Sequence, residues 1–245
     1  MHPIFFKIGE FTIYSYGVMV ALGFATAVYL SGKQGGREGI SSQAIFDVCL
    51  YSLLSGVLGA RILHVIMDLD YYMYYPLDLF RINRGGLAFQ GGLISGIAAA
   101  WYVIRKKGMP LWKTADVIMP YLALGQSIGR IGCILNGCCY GKPTYCDFGF
   151  YLPGHVLQPL HPTQLYASLY LLFVFVFLKF LHERRIKTGS VFFCYLILFS
   201  AGRFFIDFYR GDLAPVFYGL TASQIISISI FFVSLILLLL NFRKK

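Results

Sequence analysis

Seven apolar stretches run along the chain, separated by short segments in which lysine, arginine, glycine and proline collect. A helix that crosses a bilayer needs about 20 mostly apolar residues. The pattern predicts such helices over 13–31, 44–66, 86–104, 114–135, 165–181, 189–208 and 223–241. The third and fourth stretches are rich in Gly, Ala and Ser, so they are expected to lie close against other helices. The seventh is almost purely aliphatic and is expected to face lipid. The first lacks a basic leader and a small-residue cleavage site, and it reads as a retained span. The fold expected is an all-α polytopic membrane protein, a single integral domain over 1–245, with no internal repeat and no separate soluble domain.

Composition supports this reading. Only 13% of the 245 residues are charged and 58% are hydrophobic, whereas soluble domains carry about 25% charged residues. The formal net charge of +10 does not point to nucleic acid, because the cations sit in short loops between apolar spans, where they meet anionic lipid headgroups. They also sort by side. Lys33, Arg37, Arg105, Lys106, Lys107, Lys113, Arg184, Arg185, Lys187, Arg243, Lys244 and Lys245 fall in one set of loops, and only Lys7, Arg81, Arg84, Lys142 and Arg210 in the other. Positive residues stay in the cytoplasm, so the N-terminus is expected outside and the C-terminus inside. The longest loops, 67–85 and 136–164, then fall outside.

On that topology the unusual polar residues gather at the outer leaflet. Tyr14 and Tyr16 open the first span. Arg61 and His64 lie near the outer end of the second, and Gln90, Gly91 and Gly92 open the third. Arg130 lies about two turns inside the end of the fourth, His161 precedes the fifth, and Arg203, Asp207 and Arg210 share one face near the end of the sixth. A guanidinium exposed to lipid costs roughly 3 kcal/mol or more and does not deprotonate. Such residues face protein or a bound anion, and a guanidinium fork matches two phosphate oxygens at once. The plainer alternative is structural, with the arginines paired to Asp207 or to helix-end carbonyls. His161 before Pro162 has a similar alternative as a helix cap, and Tyr16 as an interfacial anchor.

Cys133, Cys138, Cys139 and Cys146 fall within fourteen residues. Their spacing matches no common zinc or iron–sulfur pattern, and adjacent cysteines rarely ligate one metal together without strain. Free packing thiols, a disulfide on the outer side, and a metal or catalytic thiol all stay open. Cys49 and Cys194 read as small buried apolar residues.

The quoted residues resemble the prolipoprotein diacylglyceryl transferase family along nearly the whole chain. The likeness runs through Phe6-Lys7-Ile8-Gly9, Tyr14-Ser15-Tyr16-Gly17, Gly59-Ala60-Arg61, the segment 85–92, and the signature Gly129-Arg130-Ile131-Gly132-Cys133-Ile134-Leu135-Asn136-Gly137-Cys138-Cys139-Tyr140-Gly141. It continues through His161-Pro162-Thr163-Gln164-Leu165-Tyr166 and Gly202-Arg203-Phe204-Phe205-Ile206-Asp207-Phe208-Tyr209-Arg210. The resemblance implies a seven-span protein of the bacterial inner membrane, with its N-terminus outside. It implies transfer of a diacylglyceryl group from phosphatidylglycerol to the lipobox cysteine of a preprolipoprotein. The product is a thioether, and glycerol phosphate leaves. Arg130 and Arg203 match the family's key arginines and are the expected catalytic pair at the phosphate. Tyr16, Arg61, Gln90, Asn136, Gly141, His161, Asp207 and Arg210 are the expected substrate-binding residues. The expected partners are phosphatidylglycerol, the preprolipoprotein signal peptide with its lipobox, and membrane lipid. No cofactor, metal or nucleic acid is expected.

The sequence departs from the family at five places. Gln90 stands where well-known members carry a histidine proposed as general base. Cys133 replaces an asparagine, Cys138 a glutamate, Asp207 a glutamate, and Phe199 a tyrosine. The base is therefore open among His161, His64, Asp207 and no protein base at all; in the last case the acceptor thiol would ionise in the field of the arginines. These departures also keep a divergent lipid transferase in view. A lipid or small-anion transporter would need polar residues along the whole path, and a thiol-redox protein would need Cys138 or Cys139.

Overall fold

A computed structural model of the chain describes residues 2–8, 11–80, 86–145, 149–151 and 158–243. Gly9, Arg81, Arg84, Gly85, Cys146, Lys244 and Lys245, which enter the sequence reading above, lie outside the described residues. Strands β1 (Ile4–Ile8) and β2 (Phe11–Tyr14) form an antiparallel hairpin that leads into α1 (Ser15–Arg37). Then come α2 (Ser42–Met67), α3 (Leu69–Tyr74), a 3₁₀ turn (Pro76–Phe80), α4 (Phe89–Lys106), α5 (Leu111–Asn136), α6 (Thr163–Glu183) and α7 (Ser190–Phe208). A second hairpin, β3 (Pro215–Phe217) and β4 (Leu220–Thr221), precedes α8 (Ala222–Arg243).

Helices α1, α2, α5, α6, α7 and α8 are each long and apolar enough to cross a membrane. The chain is a multi-pass membrane protein. The expected third span forms as α4, with 18 residues. Gln90, three glycines, Arg105 and Lys106 bring its mean hydropathy below that of the other six.

Neither hairpin was expected. The first apolar stretch was read as helix from residue 13, yet Ile13 pairs with Phe6 and Thr12 with Lys7 in the strand ladder. Periodicity cannot separate a short apolar strand from the first turn of a helix. The helix starts at Ser15, which is tied back to the N-terminal strand. Its N–H donates to the Pro3 carbonyl at 2.9 Å and its hydroxyl to the His2 carbonyl at 2.5 Å.

The chain divides into two compact units, Met1–Leu30 with Ala115–Lys245, and Ser31–Thr114. In the second unit α2 and α4 meet backbone to backbone. A Cβ at Gly91 would collide with the Gly59 carbonyl oxygen, and one at Gly92 would come within 3.1 Å of the Gly56 oxygen. Ser95 seals the contact, donating to the Ser55 carbonyl at 2.8 Å. In the first unit Gly23 of α1 and Gly125 of α5 face each other: a Cβ on Gly23 would lie 2.5 Å from the Gly125 oxygen. The small residues that marked the third and fourth stretches thus serve close helix approach.

The core of the first unit is built by Ala123, Val174, Leu178, Val191 and Tyr195 from α5, α6 and α7. Ser127 and Ser168 exchange hydrogen bonds to each other's carbonyls at 2.8 and 3.0 Å, which satisfies both hydroxyls inside the apolar contact. Helix α8 lies along α7. It leaves Phe232, Val233, Ile236 and Leu239 more than half exposed, as a lipid-facing helix requires.

The start of α7 is capped from a distance. The buried Asp116 carboxylate accepts from the Gly189 N–H at 2.5 Å and the Phe192 N–H at 2.8 Å. It fills orphan donors at the helix end where the dipole favours negative charge. Asp116 lies about 21 Å along α5 from Arg130, so it serves the fold and not the arginine end. Asp116→Ala strands two buried N–H groups and is expected to cost about 2 kcal/mol. Its thermal unfolding midpoint in detergent should fall, whereas Asp116→Asn, which keeps one acceptor, should lose less.

Candidate active site: an arginine cleft beside three thiols

Helix α5 stops where the sequence turns to Asn136-Gly137. Gly137 takes a left-handed φ of 73°. Its N–H donates to the Ile134 carbonyl and the Cys138 N–H to the Cys133 carbonyl at 3.2 Å, closing a Schellman turn. Asn136 ends the helix exposed, and its side chain hydrogen-bonds the Cys138 thiol. Cys139 is also left-handed, with φ 60°, which is uncommon for a residue with a Cβ. The first turn of α6 holds this bend in place. Gln164 Nε2 donates to the Cys138 carbonyl and Thr163 Oγ1 to the Cys139 carbonyl, each at 2.7 Å.

The chain then passes through a crowded joint. The Gly141 N–H donates to the His161 carbonyl at 3.0 Å and the Lys142 N–H to the Tyr209 carbonyl at 2.7 Å. The His161 N–H donates back to the Lys142 carbonyl, and the Gly211 N–H to that of Tyr140. A Cβ on Gly141 would lie 2.5 Å from the His161 oxygen and 2.9 Å from that of Tyr209. The His161 ring stands edge-on to Tyr209 at 5.3 Å, with Nδ1 3.3 Å from the Tyr166 hydroxyl. His161 and Gly141 therefore belong to the joint that holds the loop after α5 against α6 and the end of α7.

Beside this joint lies an open cleft. Arg130, Arg203 and Arg210 line it together with Cys139, Thr163 and Tyr170, and its apolar wall includes Leu171, Phe199 and Ile206. The three arginines are held differently. Arg203 Nε lies 3.1 Å from Asp207 Oδ2, one turn along α7. Arg210 grips Asp212 through two nitrogens at 2.8 and 2.6 Å and lies 3.9 Å from Asp207. Asp207 is buried and also receives the Ser223 hydroxyl from α8. Arg130 is half-buried, and among the described residues it makes no hydrogen bond or salt bridge. The result is a cation-rich end on an apolar wall, a shape that suits an anion carried on a hydrocarbon tail.

Charge near the bend follows from the same residues. Hydrogen bonds from the Cys133 and Cys138 thiols, with the charges of Arg210 and Arg130, hold the Cys139 thiol below its ordinary range despite burial. Burial works against the charge on Arg210. The bond to Asp212 and the neighbouring charges more than offset it, so its pKa rises.

Tyr16 stands largely exposed in the first turn of α1. Its backbone lies against Gly132, where a Cβ would come within 3.3 Å of the Tyr16 Cα. Arg61, His64 and Gln90 belong to the other unit. There Arg61 is buried, and its donors go to the carbonyls of Leu79 at 3.1 Å, Gly86 at 2.9 Å and Asp78, with its guanidinium over the Tyr72 ring. Gly86, at φ 78°, leaves room for this arginine and for His64, whose Nε2 lies 3.5 Å from Asp68. Gln90 is exposed in the first turn of α4.

Residues 3–240 match the family model described as prolipoprotein diacylglyceryl transferase. The chain belongs to the prolipoprotein diacylglyceryl transferase family. It is 33% identical over 250 residues to the phosphatidylglycerol–prolipoprotein diacylglyceryl transferase of Clostridium tetani, covering 100% of both chains. A relative of that name from Bacillus mycoides is 33% identical over 98% of this chain and 91% of its own. A Clostridium perfringens relative, phosphatidylglycerol–prolipoprotein diacylglyceryl transferase 2, is 34% identical over 95% of this chain and 92% of its own.

Within this family frame, one cleft residue, Tyr170, was not singled out from sequence. Cys139 was weighed there only as one of four clustered thiols, and Thr163 and Gln164 only as part of the motif that opens the fifth span; they prove 2% and 1% exposed. Gly141→Ala is expected to push apart two backbone segments that cannot move independently, at about 2–3 kcal/mol. Its unfolding midpoint should drop and its lipid affinity with it. A wild-type midpoint would show that the joint yields without cost.

Proposed function

We propose that the chain transfers a diacylglyceryl group from phosphatidylglycerol to the thiol of a lipobox cysteine, the reaction for which its relatives are named. The observation that carries this reading is the half-buried guanidinium of Arg130, with no hydrogen bond or salt bridge among the described residues, in one apolar-walled cleft with Arg203. The acceptor thiolate attacks the glycerol carbon of the lipid. A C–S bond forms and the C–O bond to phosphate breaks, its electron pair passing to the phosphate oxygen. Glycerol phosphate leaves with one more negative charge on its phosphate than the diester carried. Arg130 and Arg203 meet that charge as it develops, and donors of this kind supply roughly 3–4 kcal/mol each.

The remaining residues take supporting roles. Asp207 fixes Arg203 through its Nε and leaves the other guanidinium nitrogens for phosphate. Arg210 faces the same cleft from the joint. Tyr16, Asn136 and Gly141 shape the lipid site around the end of α5, and His161 supports it from the joint. Helix α4 serves as a seventh span, the N-terminus lies outside, and the chain sits in the bacterial inner membrane. The uneven loop charges support that orientation. A glutamine amide accepts no proton near neutral pH, so ionisation of the acceptor thiol falls to the positive field of the cleft.

Purified protein in detergent, given phosphatidylglycerol and a lipobox peptide, should yield a peptide with a diacylglyceryl thioether by mass spectrometry. Arg130→Ala should lower the rate by about 100–1000-fold, and Arg130→Lys, which keeps charge but loses the fork, should fall between. Wild-type rates in Arg130→Ala would overturn the assignment. A folded His161→Asn variant with no activity at all would make His161 the base and remove the field-driven route.

A further inference from the structure

We propose that Cys133, Cys138 and Cys139 hold one thiophilic divalent cation such as zinc, with its fourth position open to the arginine cleft, where it takes the acceptor thiol. The clause on the acceptor rests on the function proposed above; the cation site does not.

The geometry comes from the bend after α5. The sulfurs of the three residues all lie within 4.8 Å of one another. Tetrahedral zinc with thiolates at about 2.3 Å holds its sulfurs about 3.8 Å apart, so closure on a cation needs a shift on the order of 1 Å. Spacing along the chain argued against such a site, because adjacent residues in extended chain point apart. Two backbone features reverse that. The Schellman turn brings Cys138 back over Cys133, and the left-handed turn at Cys139 brings its thiol to the same side.

Surrounding groups fit ligands that must be held still. Gln164 and Thr163 fix the carbonyls of Cys138 and Cys139, and Asn136 bonds the Cys138 thiol. Such outer hydrogen bonds orient ligands and tune the metal. The Gln164 Oε1 is buried beside the bend and has no hydrogen-bond partner among the described residues, leaving an acceptor free for a group bound at the site. Three thiolates and a divalent cation carry one net negative charge, and Arg130 and Arg210 line the cleft that Cys139 also lines. Cys133 is buried, while Cys138 and Cys139 are half-buried, and Cys139 lines the arginine cleft. Three protein ligands with an open fourth position is the arrangement of reactive rather than structural sites.

The consequence is chemical. A thiol that coordinates such a cation is deprotonated outright. The acceptor R–SH would bind, release its proton to water, and present its sulfur as thiolate beside the phosphate-binding arginines. The C–S bond then forms and the C–O bond breaks as described above. No side chain need accept the proton, which suits a chain with Gln90 in place of a histidine.

The test uses the reduced, chelator-treated full chain in detergent, titrated with cobalt(II). One cobalt per chain with a sulfur-to-metal charge-transfer band is expected. Binding should weaken by at least about 100-fold in Cys138→Ser and Cys139→Ser, since losing even an outer hydrogen bond to a ligand costs about 10–100-fold. These two half-buried positions are chosen because Cys133→Ser disturbs the body of α5, and unfolding midpoints check that the variants stay folded. A lipobox peptide should intensify the band, and its Cys→Ser analogue should not. Absence of the band in protein whose thiols all react as free thiols overturns the site, as does a disulfide between any two of the three. A band that no thiol changes overturns the open position. A band raised by 2-mercaptoethanol but not by the lipobox peptide keeps the cation site and overturns the acceptor reading.

Discussion

A charged guanidinium inside an apolar helix must be walled from lipid, and much of the first unit can be understood from how Arg130 is accommodated. It lies near the end of α5, where the helix closes in a Schellman turn and the next residues are bent across the start of α6. That bend supplies the cleft wall with Cys139, and the joint at Gly141 ties it to the end of α7, which carries Arg203 and leads into Arg210. The residues that line the cleft thus come from segments that the bend and the joint hold together.

The arginines also show that one residue type in one pattern can do opposite work. Arg61 and Arg130 both interrupt apolar helices near an end. Arg61 gives its fork to three backbone carbonyls and stiffens the entry to α4. Arg130 has no hydrogen bond or salt bridge among the described residues. Arg203 and Arg210 are intermediate, each braced by a carboxylate that sets its direction. Buried charge is tolerated where it is paired, so the arginine with neither hydrogen bond nor salt bridge among the described residues is the one with its fork open to the cleft.

Glycine plays two roles of similar economy. At Gly23, Gly125, Gly59 and Gly91 it allows helices to touch backbone to backbone, which compensates for the weak hydrophobic drive between helices in lipid. At Gly137 it supplies the left-handed turn that ends α5. The first role was visible in sequence as small-residue content.

The sequence alone determined the membrane character, the helix order and the family, because apolar length, charge and ordered motifs are properties of the chain itself. It misread the start of the first helix, since a short apolar strand and a first helical turn look alike. It also could not tell that Arg61 was already paired, because its partners are backbone carbonyls with no sequence signature. Tertiary structure decided that the thiols of Cys133, Cys138 and Cys139 meet, against a spacing that argued otherwise. That outcome depends on two left-handed residues, Gly137 and Cys139, close after a helix end. A backbone dihedral at Cys139, set by hydrogen bonds from Thr163 and Gln164 more than twenty residues away, lies beyond what local pattern can reveal.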